Sequence, residues 1–177
     1  MSTDKQELLA FLRAFISAEP EGHFAALGLE LLDVGSGRAT MKMPWKPELV
    51  GDPDTGVIHG GPISTLLDSC CGFAAAAALD SLGACPTIDL RIDYMGPAIP
   101  GEVVYADAEI YRRTEFVLFA RAWAHHGDID RPIATAVGNF FKMKDDHFSA
   151  LQTNFRAGKG VPSAVKRAEQ GGRDNEV

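Results

Sequence analysis

The chain has 177 residues, 46% of them hydrophobic, and a formal net charge of −7. That length favours one domain, and the apolar share supports a sizeable core. The acidic balance gives no nucleic-acid footprint across the chain as a whole, although a local basic pocket for an anionic ligand is compatible with it. The three cysteines, Cys70, Cys71 and Cys85, follow no metal-ligand spacing. They read as reduced, packed thiols of a cytoplasmic protein, and no metal is implied. The N-terminus "MSTDKQELLAFLRAF" lacks the basic-then-apolar order of a signal peptide.

Residues 4–17 read as an amphipathic helix, with Asp4 and Glu7 as a capping-box-like start and Leu8, Phe11, Leu12 and Phe15 on one stripe. "EPEGHFAALG" then breaks the pattern. Residues 29–34 and 38–43 form a predicted hairpin around a Gly-Ser-Gly turn at 35–37. Pro44, Pro47, Pro53, Gly51 and Gly56 mark a loop over 44–58. A long apolar helix is predicted over 62–80. It has transmembrane length, but Ser64, Thr65, Asp68, Ser69 and Gly72 interrupt it, so it reads as a core helix with no membrane role.

Four alternating strands follow: "PTIDLRIDYM", "EVVYADAEIYRR", "TEFVLFARAWAHH" and "IATAVGNFFKMK". His125 and His126 fall at a turn and are expected to be exposed, and Trp123 is expected in the core. From Asp145 onward periodicity fades, which gives a single domain over 1–145 and a polar, flexible tail over 146–177. Six strands and one helix that is apolar nearly all round point to an α+β fold. A single six-stranded antiparallel sheet wraps around one buried helix, with the N-terminal helix added.

Asp68 lies in the middle of that helix. Its bulky side carries Ile63, Leu66, Leu67, Cys70, Phe73 and Ala77. Gly61, Ser64, Thr65, Asp68, Gly72 and Ala75 form a side of small residues. A buried charge is costly unless it is paired. Asp68 is therefore either satisfied by Ser64, Thr65 or an arginine, or held as a base or nucleophile with a raised pKa. The helix start favours chemistry. In His59-Gly60-Gly61-Pro62, proline sits where its missing N–H does no harm, and the glycines leave amides free at the positive end of the helix dipole. An amide aimed at a carbonyl oxygen there would act as an oxyanion hole, worth about 3–4 kcal/mol of barrier. Gly60 and Asp68 are about two turns, or about 12 Å, apart along the helix. One copy cannot easily bring both onto one carbonyl, so the site is expected at the seam of a two-fold dimer.

"TGVIHGGPISTLLDSCCGFAA", followed by "TIDLRIDYMGPAIPGE", resembles the hotdog-fold acyl-CoA thioesterases of the phenylacetate-catabolism (PaaI) type. The likeness covers residues 29–143. It rests on G-x-x-H-G-G, an aspartate nine residues after the histidine, and a strand of type [ST]-x-D-L-x-x-x-Y-x-x-P. The resemblance implies homodimers and usually homotetramers, an acyl-CoA substrate, and no resident cofactor. It places the carboxylate nucleophile or general base on Asp68, the carbonyl-polarising amide on Gly60, the motif histidine on His59, and a water-positioning hydroxyl on Thr87. Gly61 and Ser64 fall beside the bound thioester. Basic side chains on the coenzyme A phosphates fall to Arg112 and Arg113, with Arg91 a weaker candidate. The chain departs from the family six residues before the histidine, where Pro53 replaces a common asparagine, and Asp52 or Asp54 would have to take over. Two other readings share the sequence: an acyl-CoA hydratase or dehydratase that pairs His59 with Asp68, and a non-catalytic acyl-CoA-binding protein.

Overall fold

The computed structural model describes residues 3–18, 22–80 and 83–143, with 150, 153–154 and 157–159. The Asp4 side chain and nearly all of the predicted tail over 146–177 lie outside the described residues. Helix α1 (Thr3–Ser17) buries Phe11 and Leu12, two members of the predicted stripe. Where the sequence showed a break, a short helix α2 (His23–Leu27) forms and ends on Gly28, whose φ of 69° is the left-handed C-cap that glycine adopts most easily.

Strands β1 (Glu30–Gly35) and β2 (Arg38–Met43) make the predicted hairpin. Ser36 and Gly37 both take positive φ, 54° and 74°, as a two-residue turn between twisted strands requires. The loop predicted over 44–58 is more ordered than its prolines suggested. A 3-10 turn (Pro47–Leu49) leads into a small antiparallel pair, β3 (Val50–Asp52) and β4 (Val57–Ile58). Buried Leu49 and Ile58 anchor this segment, and the Trp45 indole donates to the Gly56 carbonyl at 2.9 Å.

Helix α3 spans Gly60–Ala76, starting two residues before and ending four before its predicted bounds. It starts early because the His59 side chain caps it. Just past its end the carbonyls turn to other segments: Ala77 accepts from the Gly37 amide at 3.3 Å, and Ala78 from Arg113 at 2.7 Å. Among the described residues no helix is long and apolar enough to cross a membrane.

Strands β5 (Thr87–Tyr94), β6 (Val104–Arg113), β7 (Val117–His125) and β8 (Ala134–Phe141) follow as predicted. The main sheet is antiparallel with six strands in the order β1-β2-β6-β7-β8-β5. Its inner face presents Ala39, Ala106, Ala108, Ala120, Ala122, Ala124, Ala134 and Ala136, all buried. This carpet of methyl groups lets α3 lie close, with Leu66, Leu67, Cys70 and Ala74 pressed against it. At the β1 edge, α1 covers the strand, and Arg13 donates to the carbonyls of Leu31 (2.8 Å) and Leu32 (2.9 Å), which a bulge turns outward.

The outer face is more structured than the sequence indicated. His125 is buried, with Nε2 2.8 Å from Asp107, while its Nδ1 accepts from the Gly127 amide at 3.0 Å. Because Nδ1 accepts, the hydrogen of the neutral ring sits on Nε2 and is donated to Asp107. Thr40 donates to the other oxygen of Asp107. His126 is half-buried and holds the loop before β6 through Val103 and Ile99. Both histidines therefore do structural work in place of sitting exposed. Trp123 lies on this outer face under the Arg121 guanidinium, outside the core.

The approach of β5 to β8 is a tight backbone constraint. A Cβ on Gly138 would fall 2.7 Å from Leu90 and 2.8 Å from the Asp89 carbonyl oxygen, which cannot move without the strand. Gly138→Ala is expected to cost about 1–3 kcal/mol. Thermal denaturation should show a fall of about 2–4 °C per kcal/mol in a domain of this size. An unchanged melting temperature would contradict that close approach.

Candidate active site

Two groups of polar side chains lie along α3, about two turns apart. At its start, His59 is the N-cap, in extended backbone conformation (φ −60°, ψ 147°), and its Nδ1 accepts from the Gly61 amide at 3.0 Å. Its own amide donates to Leu49 at 2.8 Å. Gly51 packs flat against it, since a Cβ there would lie 2.8 Å from the His59 Cα. The cap satisfies Gly61 and leaves the Gly60 N–H without a partner among the described residues. Gly60 thus presents a donor at the positive end of the helix.

Above it sits Tyr94, the last residue of β5. Its hydroxyl donates to the Gly60 carbonyl at 2.7 Å and lies 2.8 Å from Ser64 Oγ, which donates to the same carbonyl at 3.1 Å. A Cβ on Gly60 would meet the phenol oxygen at 3.0 Å, so only glycine fits beneath the ring comfortably. Ser64 is tied to its own helix and has no base beside it. The sequence did not mark Tyr94 as a site residue, because on an alternating strand it reads as one more apolar contact. The signal was its place in the strand motif, seven residues after Thr87.

Two turns on, Asp68 is half-buried, less enclosed than a carboxylate inside an apolar helix was expected to be. The side of α3 that carries it is not covered by the sheet. One oxygen accepts from Thr87 Oγ1 at 2.8 Å, and the other has no partner among the described residues. Neither Ser64 nor Thr65 satisfies it, because both hydroxyls donate to carbonyls one turn back, Gly60 and Gly61. Asp68 and Thr87 stand on the wall of a cleft of about 370 Å³ whose other walls include Phe24, Gly72, Phe73 and Phe140. The arrangement offers a carboxylate with one free oxygen, a hydroxyl that orients it, and an apolar chamber alongside.

The remaining predicted residues lie elsewhere. Asp52 closes the β3–β4 turn, accepting from the Asp54 amide (3.1 Å) and the Thr55 hydroxyl (2.6 Å). Those donors, the hydroxyl foremost, hold its carboxyl below the usual range. Asp54 is exposed at the tip beside Pro53. Arg113 is tied to the end of α3, Arg112 is exposed at the end of β6, and Arg91 pairs with Asp93 at 2.9 Å. No hydrogen bond or ion pair joins any of these to Asp68 or Gly60 among the described residues.

A sheet of this order against one long helix is the hotdog fold. A family model described as the thioesterase superfamily matches residues 55–133. A Halobacterium salinarum protein carrying a provisional esterase name is 30% identical over 112 residues, 62% of this chain and 72% of its own length. The Escherichia coli medium/long-chain acyl-CoA thioesterase YigI is 29% identical over 114 residues, covering 57% of this chain and 73% of its own. A crystal structure of a Pseudomonas aeruginosa protein superposes with a TM-score of 0.68 at 43% identity, over 77% of this chain and 99% of that one. The E. coli PaaI protein of the phenylacetic acid degradation operon shares the fold, with a TM-score of 0.66 at 17% identity over 78% and 95% of the two chains. The chain belongs to the thioesterase superfamily.

Its thiols are poor nucleophiles. Burial pushes Cys71 up to about 12, with the nearby Asp68 charge adding to it, and Cys85 up to about 11. Cys70 is raised further and rests against the carbonyls of Ala39 and Ala106. All three should stay protonated at pH 8. A chromogenic disulfide reagent should therefore label Cys70 and Cys71 only in denaturant, with Cys85 slow in the native state. Fast native labelling of Cys71 would contradict this packing.

Proposed function

We propose that the protein hydrolyses acyl-CoA thioesters. The observation that carries this reading is the Asp68–Thr87 pair, a half-exposed carboxylate with one free oxygen on the wall of an apolar cleft. The thioesterase name of YigI supports the substrate class. In the proposed reaction the thioester carbonyl oxygen sits on the Gly60 amide, where developing negative charge is stabilised by the N–H and the helix dipole. Asp68 of the partner subunit either takes a proton from a water that attacks the carbonyl carbon, or attacks it to form a mixed anhydride that water then opens. The C–S bond breaks, the thiolate takes up a proton, and the products are the free acid and coenzyme A. Thr87 fixes the carboxylate. His59 acts as the cap that frees the Gly60 amide and needs no proton transfer of its own.

A shared site requires a second copy. Strand β5 ends the sheet with an unpaired edge and exposes Ile88 (55%) and Tyr94 (51%), with Met95 (60%) just beyond it. An apolar edge of that kind suits a two-fold partner, which would carry its own α3 alongside. Arg112 is the remaining candidate for a coenzyme A phosphate, given that Arg113 is already bonded to the helix end. Three free thiols suit a reducing compartment such as the cytoplasm.

Asp68→Asn keeps the size of the side chain and should lower kcat/KM for a good acyl-CoA by about 10²–10⁴-fold. The melting temperature should stay within the change expected of a surface substitution. The check is thiol release from acyl-CoA, and wild-type turnover in the variant would refute the role. Supplying enoyl-CoA separates the other enzyme reading, since hydration without thiol release would favour a hydratase. Tight binding of acyl-CoA without turnover would favour a binding protein. Sedimentation should show a dimer or a larger assembly in the active protein, and a fully active monomer would exclude the shared site.

A further inference from the structure

We infer that the cleft beside Asp68 is the acyl-tail pocket, that it takes a medium-length saturated chain, and that Gly72 sets the length it admits. This rests on the acyl-CoA reading above and adds to it the class of acyl group. A glycine within a helix costs about 1 kcal/mol relative to alanine. Such a glycine is usually explained by a left-handed backbone or a close neighbour, and Gly72 has neither. Its backbone is helical, and a Cβ built on it would meet nothing nearer than Phe140 Cε1 at 4.0 Å. The missing side chain leaves open space, and that space is the cleft.

Gly72 lies one turn after Asp68 on the same helix face, and Ala76 one turn further, so the three residues floor the cleft in line. A chain whose carbonyl carbon is beside Asp68 can therefore lie along a floor of hydrogen and methyl. Phe24 on α2 and Phe73 on α3 pack against each other, ring centroids 5.9 Å apart, as one aromatic wall of the cleft, and Phe140 closes the sheet side. The aromatic rings make most of the lining apolar, which suits saturated carbon, while His23 and Ser69 are the polar groups on it besides Asp68 and Thr87. Eight residues of helix rise about 12 Å. That is the reach of about ten bonds of an extended chain, taking about 3.5 Å per three bonds. A volume of about 370 Å³ is at the lower end for small-molecule sites, room for an acyl group but not for coenzyme A as well.

The test is thiol release from a panel of saturated acyl-CoA substrates running from butyryl to palmitoyl, with phenylacetyl-CoA included. Wild-type kcat/KM should peak at about ten carbons. Gly72→Leu fills the floor and should lower the ratio of decanoyl to butyryl kcat/KM by at least about tenfold, the scale on which a pocket reads one methylene. Gly72→Ala favours the helix, so it keeps the test open if the leucine variant folds badly, and it should shift the ratio in the same direction by a smaller factor. Phe24→Ala lengthens the chamber and should move the optimum to longer chains. Ratios unchanged in both Gly72 variants, or a wild-type optimum at butyryl or phenylacetyl, would overturn the assignment while leaving acyl-CoA hydrolysis standing. A wild type that releases thiol from no member of the panel would overturn the hydrolase reading, and this inference with it.

Discussion

The candidate site depends on how edge strand β5 is fastened to helix α3. Thr87 at the start of the strand donates to Asp68, and Tyr94 at its end donates to the Gly60 carbonyl. Each bond on its own contributes little, about 1 kcal/mol net for a neutral donor and somewhat more to a carboxylate. Their joint effect is positional. Strand and helix run antiparallel, so one strand fixes both the carboxylate and the helix start. The connectivity makes this possible: the chain leaves α3, crosses to the far edge of the sheet, and lays β5 beyond β8. On an inner position of the sheet these side chains would be covered by neighbouring strands. At the edge they stay accessible while the backbone remains paired on one side.

The helix start shows how few groups are needed to leave one donor free. Four amides open every helix. Here His59 takes that of Gly61 and proline removes that of residue 62, so the unpaired donor at the very start belongs to Gly60. The carbonyl of the same residue is doubly occupied by Tyr94 and Ser64. The peptide is thereby held from one side and exposed on the other. A pre-positioned donor of this kind stabilises developing charge without having to reorganise during the reaction.

Much of the fold could be read from the sequence, because each main element carries a strong period. The four C-terminal strands alternate over eight or more residues, and α1 and α3 carry apolar stripes at helical spacing. What escaped depended on tertiary contact. Helix α2 forms from five residues because Phe24 packs against the core and Gly28 can turn left-handed, neither of which is a local preference for helix. The β3–β4 pair is anchored by Leu49 and Ile58 in a segment whose prolines and glycines look like plain loop. His125 appeared exposed because it closes a strand, yet Asp107 and Tyr105 on β6 cover it from across the sheet. In the candidate site, the positions of Asp68, Thr87, His59 and Gly60 were picked out by spacing and resemblance, and the structure places Asp68 beside Thr87 and His59 as the cap before Gly60. Tyr94 was not picked out, since a strand residue acquires its role from the helix beside it.

The surroundings of Asp68 also explain why the helix can carry a carboxylate at all. Complete burial of an unpaired charge would cost several kcal/mol, and complete pairing would leave it chemically idle. The fold takes an intermediate course. The bulky side of α3 is pressed on the alanine carpet, which leaves the small side, and Asp68 with it, half in solvent. Water can then solvate the charge until something displaces it. Displacing that water by an apolar group in the cleft would remove solvation from one oxygen while Thr87 still holds the other. An oxygen in that condition has no water to shed before it acts on a neighbouring carbonyl. Gly72, Phe24 and Phe73 line the same cleft as Asp68, so under the inference above they would set which guest fills the space beside it, and with that when the carboxylate loses its water.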